Sequence, residues 1–282
     1  MQDKKLNKNY KVTPEYLDAL QTYGKECHVE SKFAFLRAHN GLRKGNLHVM
    51  MGSSHSGKST LVRSLLLDAL DNNPDKTVLL FLSEESTDDF LKEFAETGLR
   101  DEKMLQRLHV ISALDGKNIS LYELKFMIKE IEPDLFFFDN LTTSDLYADC
   151  TPKEQTRLCN ELKNLAKEIM IPFFLIVHTG KEIMDNMTRL IEMNDVRGSK
   201  SIVNIAEFFY IAQSFHTSEI QRYSRKEVSR IDPTICIKKH RGENVTERLF
   251  YMNYCHKKRI YVSDKELEFS AFKEMFKNRN RL

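Results

Sequence analysis

No run of ~18 successive apolar residues occurs in this 282-residue chain, which excludes an ordinary membrane-spanning helix. The opening Met1-Gln2-Asp3-Lys4-Lys5 is polar and basic, with no apolar stretch behind it, so no secretory signal is expected. The five cysteines (Cys27, Cys150, Cys159, Cys236 and Cys255) are odd in number and never spaced as CxxC. That argues against a disulfide framework or a zinc site. A formal net charge of +2 supplies no global field toward nucleic acid. There are no internal repeats and no low-complexity stretches. These absences leave a cytoplasmic protein with reduced thiols and no membrane partner as the expectation.

What is present reads as a folded chain. A hydrophobic share of 41% and a charged share of 30% are ordinary for a packed core. The length allows one large domain, or one with a small appendage. Thr13, Pro14 and Glu15 have the order of N-cap, first helical position and first-turn acid, and Gly24 closes a short helix over Thr13–Tyr23. Basic residues gather at Lys238, Lys239 and Arg241, at Lys257, Lys258 and Arg259, and in a tail with Lys277, Arg279 and Arg281. Such a tail is ordinarily a solvated end.

From Leu47 the pattern becomes strand, loop, helix, repeated. Strands are expected over Leu47–Met51, Val78–Leu82, Leu108–Ile111, Leu135–Phe138, Phe173–Val177, Phe208–Ile211 and Thr234–Ile237. The first five alternate little, as strands covered on both faces do. Helices are expected over Ser59–Leu70 and Asp88–Phe94, after Ser120 with Glu123 as its capping-box partner, and after Thr151-Pro152 with Glu154. Leu158, Leu162, Leu165 and Ile169 keep helical spacing. The fold class is α/β: a mainly parallel twisted sheet with helices on both faces. A short connection at Arg241-Gly242-Glu243-Asn244 suggests an antiparallel hairpin at the C-terminal edge.

One segment carries chemistry on its own. Gly52-Ser53-Ser54-His55-Ser56-Gly57-Lys58-Ser59, followed by Thr60, fits G-x-x-x-x-G-K-[ST]. It sits after a strand and before a helix, where the pattern has physical meaning. Glycines let backbone N–H groups turn onto phosphate oxygens, and the helix start adds its own. Lys58 is expected to reach the β and γ phosphates of ATP, and Ser59 to ligate Mg²⁺. Asp139 ends the apolar run Leu135–Phe138 and is the candidate metal aspartate. Asp134, at the other end of that run, is expected to be structural. Glu84 and Glu85 follow Val78–Ser83; either is a candidate general base, and one of them a candidate helix-capping acid. His178 ends the strand Phe173–Val177, where a polar side chain can sense the γ-phosphate.

The order of these motifs resembles RecA-fold ATPases of the DnaB/RepA type, the hexameric replicative helicases, with KaiC-like ATPases nearby. Gly41-Leu42-Arg43-Lys44-Gly45-Asn46-Leu47 is similar to the family's lead-in to the first strand. Phe81-Leu82-Ser83-Glu84-Glu85-Ser86 is similar to the strand bearing the catalytic glutamate, and the resemblance gives that place to Glu84. Asp139 resembles the Walker B aspartate, and His178 the γ-phosphate sensor, where many bacterial members carry Gln. Asp195-Val196-Arg197-Gly198-Ser199-Lys200-Ser201 resembles the segment after the DNA-binding loop. Lys239-His240-Arg241 resembles the K-x-R finger that reaches the neighbouring subunit's ATP site.

Strand alternation puts Lys239 and Arg241 on one face and His240 on the other. Two cations far in sequence from the phosphate loop suit action in trans. Over Thr179–Lys200 the chain is long and polar and carries Lys181, Arg189, Arg197 and Lys200. It lacks aromatic residues, so any grip on single-stranded DNA there is mainly electrostatic. The resemblance spans roughly residues 33–262, which implies an extension over 1–32 ahead of the core and a basic tail over 263–282. It implies a RecA-like core, ATP and Mg²⁺, a homo-oligomeric ring of six, single-stranded DNA and replication proteins as partners. Only about 30 residues precede the core, so the separate N-terminal domain of bacterial replicative helicases is not expected. The alternative is a KaiC-like or recombination-mediator-like ATPase that oligomerises and binds DNA or a partner without unwinding. A P-loop kinase is a third reading, and no lid-like Arg cluster supports it.

Overall fold

A computed structural model describes residues 27–54, 56–97, 101–116, 119–180, 191–213, 234–240 and 247–267. Its strands are β1 (Cys27–Val29), β2 (Leu42–Arg43), β3 (Leu47–Gly52), β4 (Val78–Leu82), β5 (Leu108–Ser112), β6 (Leu135–Asp139), β7 (Phe173–His178), β8 (Phe208–Gln213), β9 (Thr234–His240), β10 (Arg248–Cys255) and β11 (Ile260–Leu267). Each of the seven expected strands begins at its expected residue and runs at most three residues further. β1 and β2 pair as a small ribbon, and the other strands form one nine-stranded sheet in the order β11-β10-β9-β8-β3-β7-β6-β4-β5. From β8 to β5 all neighbours are parallel. The β8-β9-β10-β11 side is antiparallel, in line with the expected C-terminal edge.

The short apolar runs form strands because both faces of the sheet are covered. Leu47, Val49, Met51, Phe136, Phe138, Phe173 and Leu175 face one core, with the helices Leu121–Ile131 and Pro152–Ile169 packed over them through Leu124, Ile128, Leu158 and Leu162. Met50, Leu80, Phe137, Phe174 and Ile176 face the other, under the helices Lys58–Asn72 and Thr87–Glu96. Both expected capping boxes form, Ser120 with Glu123 and Thr151 with Glu154. The helix Thr87–Glu96 is capped by Ser86, whose oxygen accepts from the Asp89 N–H, so neither Glu84 nor Glu85 is its cap.

Ahead of β3 lie the helix Ala34–Arg37 and β2. β1 starts at Cys27 and β11 runs to Leu267, so strand pairing crosses both expected limits of the core. The helix expected over Thr13–Tyr23, the turn Arg241–Asn244 and the tail beyond Leu267 lie outside the described residues. Among the described residues no helix is long and apolar enough to cross a membrane.

Candidate functional site

Strand register gathers the sequence-flagged residues at one end of the sheet. Gly52 stands level with His178 on one side and Ala212 on the other. Leu82, two residues before Glu84, stands level with Asp139. The carboxyl ends of β3, β4, β6 and β7 therefore converge, which is where open α/β sheets hold ligands.

The loop between β3 and the helix Lys58–Asn72 depends on its two glycines. A Cβ on Gly52 would lie 2.6 Å from Ser56 Oγ and 2.7 Å from the Ala212 carbonyl oxygen. Gly57 is the N-cap at φ +85°, in the left-handed region that glycine enters without penalty. No side chain caps this helix, so its first N–H groups remain available to an anion. Lys58 is buried, and its ammonium donates to the Ser53 carbonyl at 2.5 Å. Burial pushes the Lys58 pKa down to about 8, although Asp139 and Glu84 pull it up. Ser59 is exposed on the first turn and Thr60 is partly so. His55, also expected in the cradle, lies outside the described residues.

Ser54, Gly57, Lys58, Ser59 and Thr60 share a cleft of about 500 Å³ with Glu84, Asp139 and His178. Burial drives the Asp139 pKa up to about 7, against the pull of Lys58 and with a push from Glu84. The two candidate bases part company here. Glu85 accepts two bonds from Arg63, at 3.0 and 3.1 Å, and Arg63 also pairs with Glu93 at 2.8 Å. Glu84 faces the cleft, its carboxylate 3.7 Å from His178 Nε2. The neighbouring His178, aided by Thr143 and opposed by burial, holds the Glu84 carboxyl below its usual range. Sequence reasoning missed the turn Leu141–Thr143 that braces these groups, although its polar residues directly follow Asp139. Thr142 Oγ1 accepts from the His178 N–H at 2.9 Å.

A larger hollow, about 780 Å³, lies around His28, Lys44, Asp134 and Met170, at the opposite end of the sheet. Asp134 is held there by Lys76 at 3.2 Å and His28 at 3.3 Å, and accepts from the Thr77 N–H at 2.9 Å, a structural role. Size does not decide between the two hollows. The smaller one holds the lysine, the acids and the open helix start.

Lys239 does not join the cleft. It pairs in register with Phe209, three residues before Ala212, so it lies roughly 10 Å from the level of Gly52 along the strands. Its ammonium donates to the carbonyls of Val203 at 2.6 Å and Asn204 at 3.0 Å. A bulge at Lys238 precedes it, and His240 is buried against Phe208 with ring centroids 4.8 Å apart. Arg241 lies outside the described residues, as do Lys181 and Arg189. The segment Thr179–Lys200 is closed at its base by a bridge between Thr179 and Val196, and the Arg197 N–H bonds the His178 carbonyl at 2.9 Å.

No family model matches the sequence, and no curated protein matches it either. Its structure is similar to a solved helicase ATPase domain, at 16% identity and a TM-score of 0.68, over 90% of this chain and 96% of that one. It is also similar to a DnaB-like replicative helicase described together with its interactions with primase. That match has 15% identity and a TM-score of 0.69, over 93% of this chain and 68% of the other. At these identities the likeness is one of fold: the chain has the RecA-like architecture of DnaB-type ATPase domains.

Proposed function

We propose that this protein hydrolyses ATP with Mg²⁺ at sites shared between copies of itself, as a ring-forming helicase or single-stranded-DNA translocase of a replication system. The observation that carries this is the meeting of Lys58, Ser59, Asp139, Glu84 and His178 in one cleft at the carboxyl ends of four strands. The chemistry follows from those positions. The loop N–H groups and the helix start hold the phosphates, and Lys58 exchanges its Ser53 carbonyl for the β and γ oxygens. Ser59 and Asp139 fit Mg²⁺ as hard oxygen donors. When bound, Mg²⁺ neutralises charge on the phosphates.

Glu84 orients and deprotonates the attacking water, and His178 reports the γ-phosphate to Arg197 through the backbone bond between them. Arg241, with Lys239, is the finger lent by the neighbouring copy. The fold of DnaB-type domains supports this reading, as does the direction of β9, which carries the chain away from its own phosphate loop. Single-stranded DNA is the ligand of the Thr179–Lys200 segment, a six-membered ring the assembly, and replication proteins the further partners.

The test is turnover of Mg-ATP by the full chain with and without single-stranded DNA. Lys58→Ala and Glu84→Gln each abolish it. Arg241→Ala reduces it at least a hundredfold while ATP still binds. DNA stimulates the wild type in a strongly salt-dependent way. Wild-type turnover in Arg241→Ala removes the shared site. DNA-stimulated turnover without strand displacement on a forked duplex favours the alternative, an assembly ATPase that does not unwind.

A further inference from the structure

We propose that Tyr147 and Gln155 are positioning residues for nucleic-acid contact: they clamp the backbone at Gly198 and Ser199 and thereby fix where Arg197 and Lys200 stand. The inference rests on the reading of this segment as a contact for single-stranded DNA. Tyr147 lies in the short helix Asp145–Ala148, and Gln155 in the first turn of Pro152–Ile169. Both side chains are buried. The Ser199 N–H is shared between the Tyr147 hydroxyl oxygen at 2.9 Å and Gln155 Oε1 at 2.8 Å. The Gln155 amide donates in turn to the Tyr147 carbonyl at 3.0 Å, which holds its own oxygen on Ser199. A Cβ on Gly198 would stand 2.7 Å from a Tyr147 ring carbon and 2.9 Å from Gln155 Oε1, so only glycine lets the chain come this close. Thr156 adds its hydroxyl oxygen, 3.1 Å from Ser199 Oγ. Buried polar groups cost stability unless bonded. Here they serve an N–H that lies outside every described helix and strand.

A second hold lies directly beside the clamp. The Arg197 N–H donates to the His178 carbonyl at 2.9 Å, the Gly180 N–H donates to the Asp195 carbonyl at 2.8 Å, and Thr179 bridges to Val196. The chain is therefore tied to the end of β7 as far as Arg197, and to two helices from Gly198 onward. Arg197 stands at that junction, and both it and Lys200 are exposed. Cations of this kind hold backbone phosphates by charge. A cation on slack backbone loses freedom each time it meets a phosphate, whereas one on backbone already held loses less. The clamp strengthens contact by that difference, without touching nucleic acid itself. His178 lines the cleft that holds the phosphate loop, and Tyr147 and Gln155 do not. Loosening the clamp should therefore weaken the grip on DNA while leaving the hold on ATP intact.

The experiment is Mg-ATP turnover of the full chain, titrated with oligothymidylate over a range of salt concentrations. The variant set beside wild type combines Tyr147→Phe with Gln155→Met, which removes both acceptors and keeps most of the bulk. The oligonucleotide concentration giving half-maximal stimulation is expected to rise about tenfold, with KM for ATP within about twofold. The slope of log affinity against log salt falls by about one, since a phosphate contact is lost. In an Arg197→Ala background the same pair of substitutions costs under about twofold further, as residues acting through one another require. Tyr147→Phe alone deletes a single oxygen, carries a rise of about threefold, and serves if the double variant does not fold. A half-point in the double variant within about twofold of wild type overturns the proposal. So does an unchanged salt slope, or an undiminished loss on top of Arg197→Ala. A wild type that oligothymidylate does not stimulate is a different failure: it removes the DNA reading itself.

Discussion

Asp139→Asn should make the nucleotide-free protein more stable while abolishing its turnover. In the native protein the Asp139 carboxyl is lifted by burial from 3.8 to about 7. That shift of roughly three units corresponds to a ceiling of ~4 kcal/mol for holding the ionised form. An asparagine still needs hydrogen bonds, and relaxation around the cleft softens the penalty, so about 2 kcal/mol is the expected gain, or ~4 °C in Tm. The pH dependence gives the expectation its edge. Below about 3.8 the carboxyl is protonated in both folded and unfolded chains, and the penalty is absent. Between there and about 7 the unfolded chain gives up the proton while the folded chain retains it, so native stability falls steadily. Above about 7 the penalty is complete. Urea unfolding without Mg²⁺ or nucleotide should therefore show a gain at pH 5.5 about half that at pH 8. An equal gain at both, or a less stable variant at pH 8, refutes the reasoning. Lys58 has the matching condition, its charge disfavoured by burial despite two acids nearby. The cleft thus keeps charges it solvates poorly, and Mg-ATP should stabilise the wild type more than the asparagine variant.

Glu85→Gln should leave kcat unchanged, because Glu85 is engaged by Arg63 rather than the cleft, and should cost about 1 kcal/mol in urea unfolding since Arg63 retains Glu93. Loss of turnover comparable to Glu84→Gln would reverse the assignment of the two glutamates. Lys163→Met should be far more damaging. Lys163 and Glu207 pair at 2.6 Å with side chains only 11% and 8% exposed, and Glu207 also accepts from the Leu47 N–H at the start of β3. Leaving that carboxylate without its cation costs about 3 kcal/mol or more, and a change below about 1 kcal/mol in the unfolding midpoint analysis would contradict it.

The strands could be read from sequence because this sheet is covered on both sides: Leu135–Phe138 and Phe173–Val177 had no solvent face to encode. The C-terminal strands were harder, and β11 shows why. Asp264 sits within that strand, where a charge breaks the apolar pattern. Its carboxylate accepts from the N–H groups of Ala34 and Phe35 and so starts a helix 230 residues earlier in the chain. His48 is another such case. It lies fully buried in β3, Nδ1 3.0 Å from the Tyr210 hydroxyl, which also reaches His39 at 2.5 Å. Partners so distant in sequence leave no local trace. The same holds at the cleft. The phosphate loop and Asp139 are set by local pattern and strand ends, whereas the choice between Glu84 and Glu85 turns on Arg63, and the brace at Thr142 on strand ends meeting.

Charge in the cleft bears on what must complete it. Among its described side chains Lys58 faces two acids, Glu84 and Asp139. Arg63, whose charge bears on Asp139, already serves Glu85 and Glu93. A triphosphate adds only negative charge, and more of it concentrates on the transferring oxygens as the bond breaks. Mg²⁺ offsets part of this. The proposed shared site supplies a further cation at the γ-phosphate; among the described residues Lys239 stands at the wrong level of the sheet to do so within one chain, its ammonium engaged by the Val203 and Asn204 carbonyls. In the proposed ring, a strand end remote from its own loop meets a neighbour's. Efficient ATP turnover by a chain that stays monomeric at high concentration with Mg²⁺ and nucleotide would break this argument at its root.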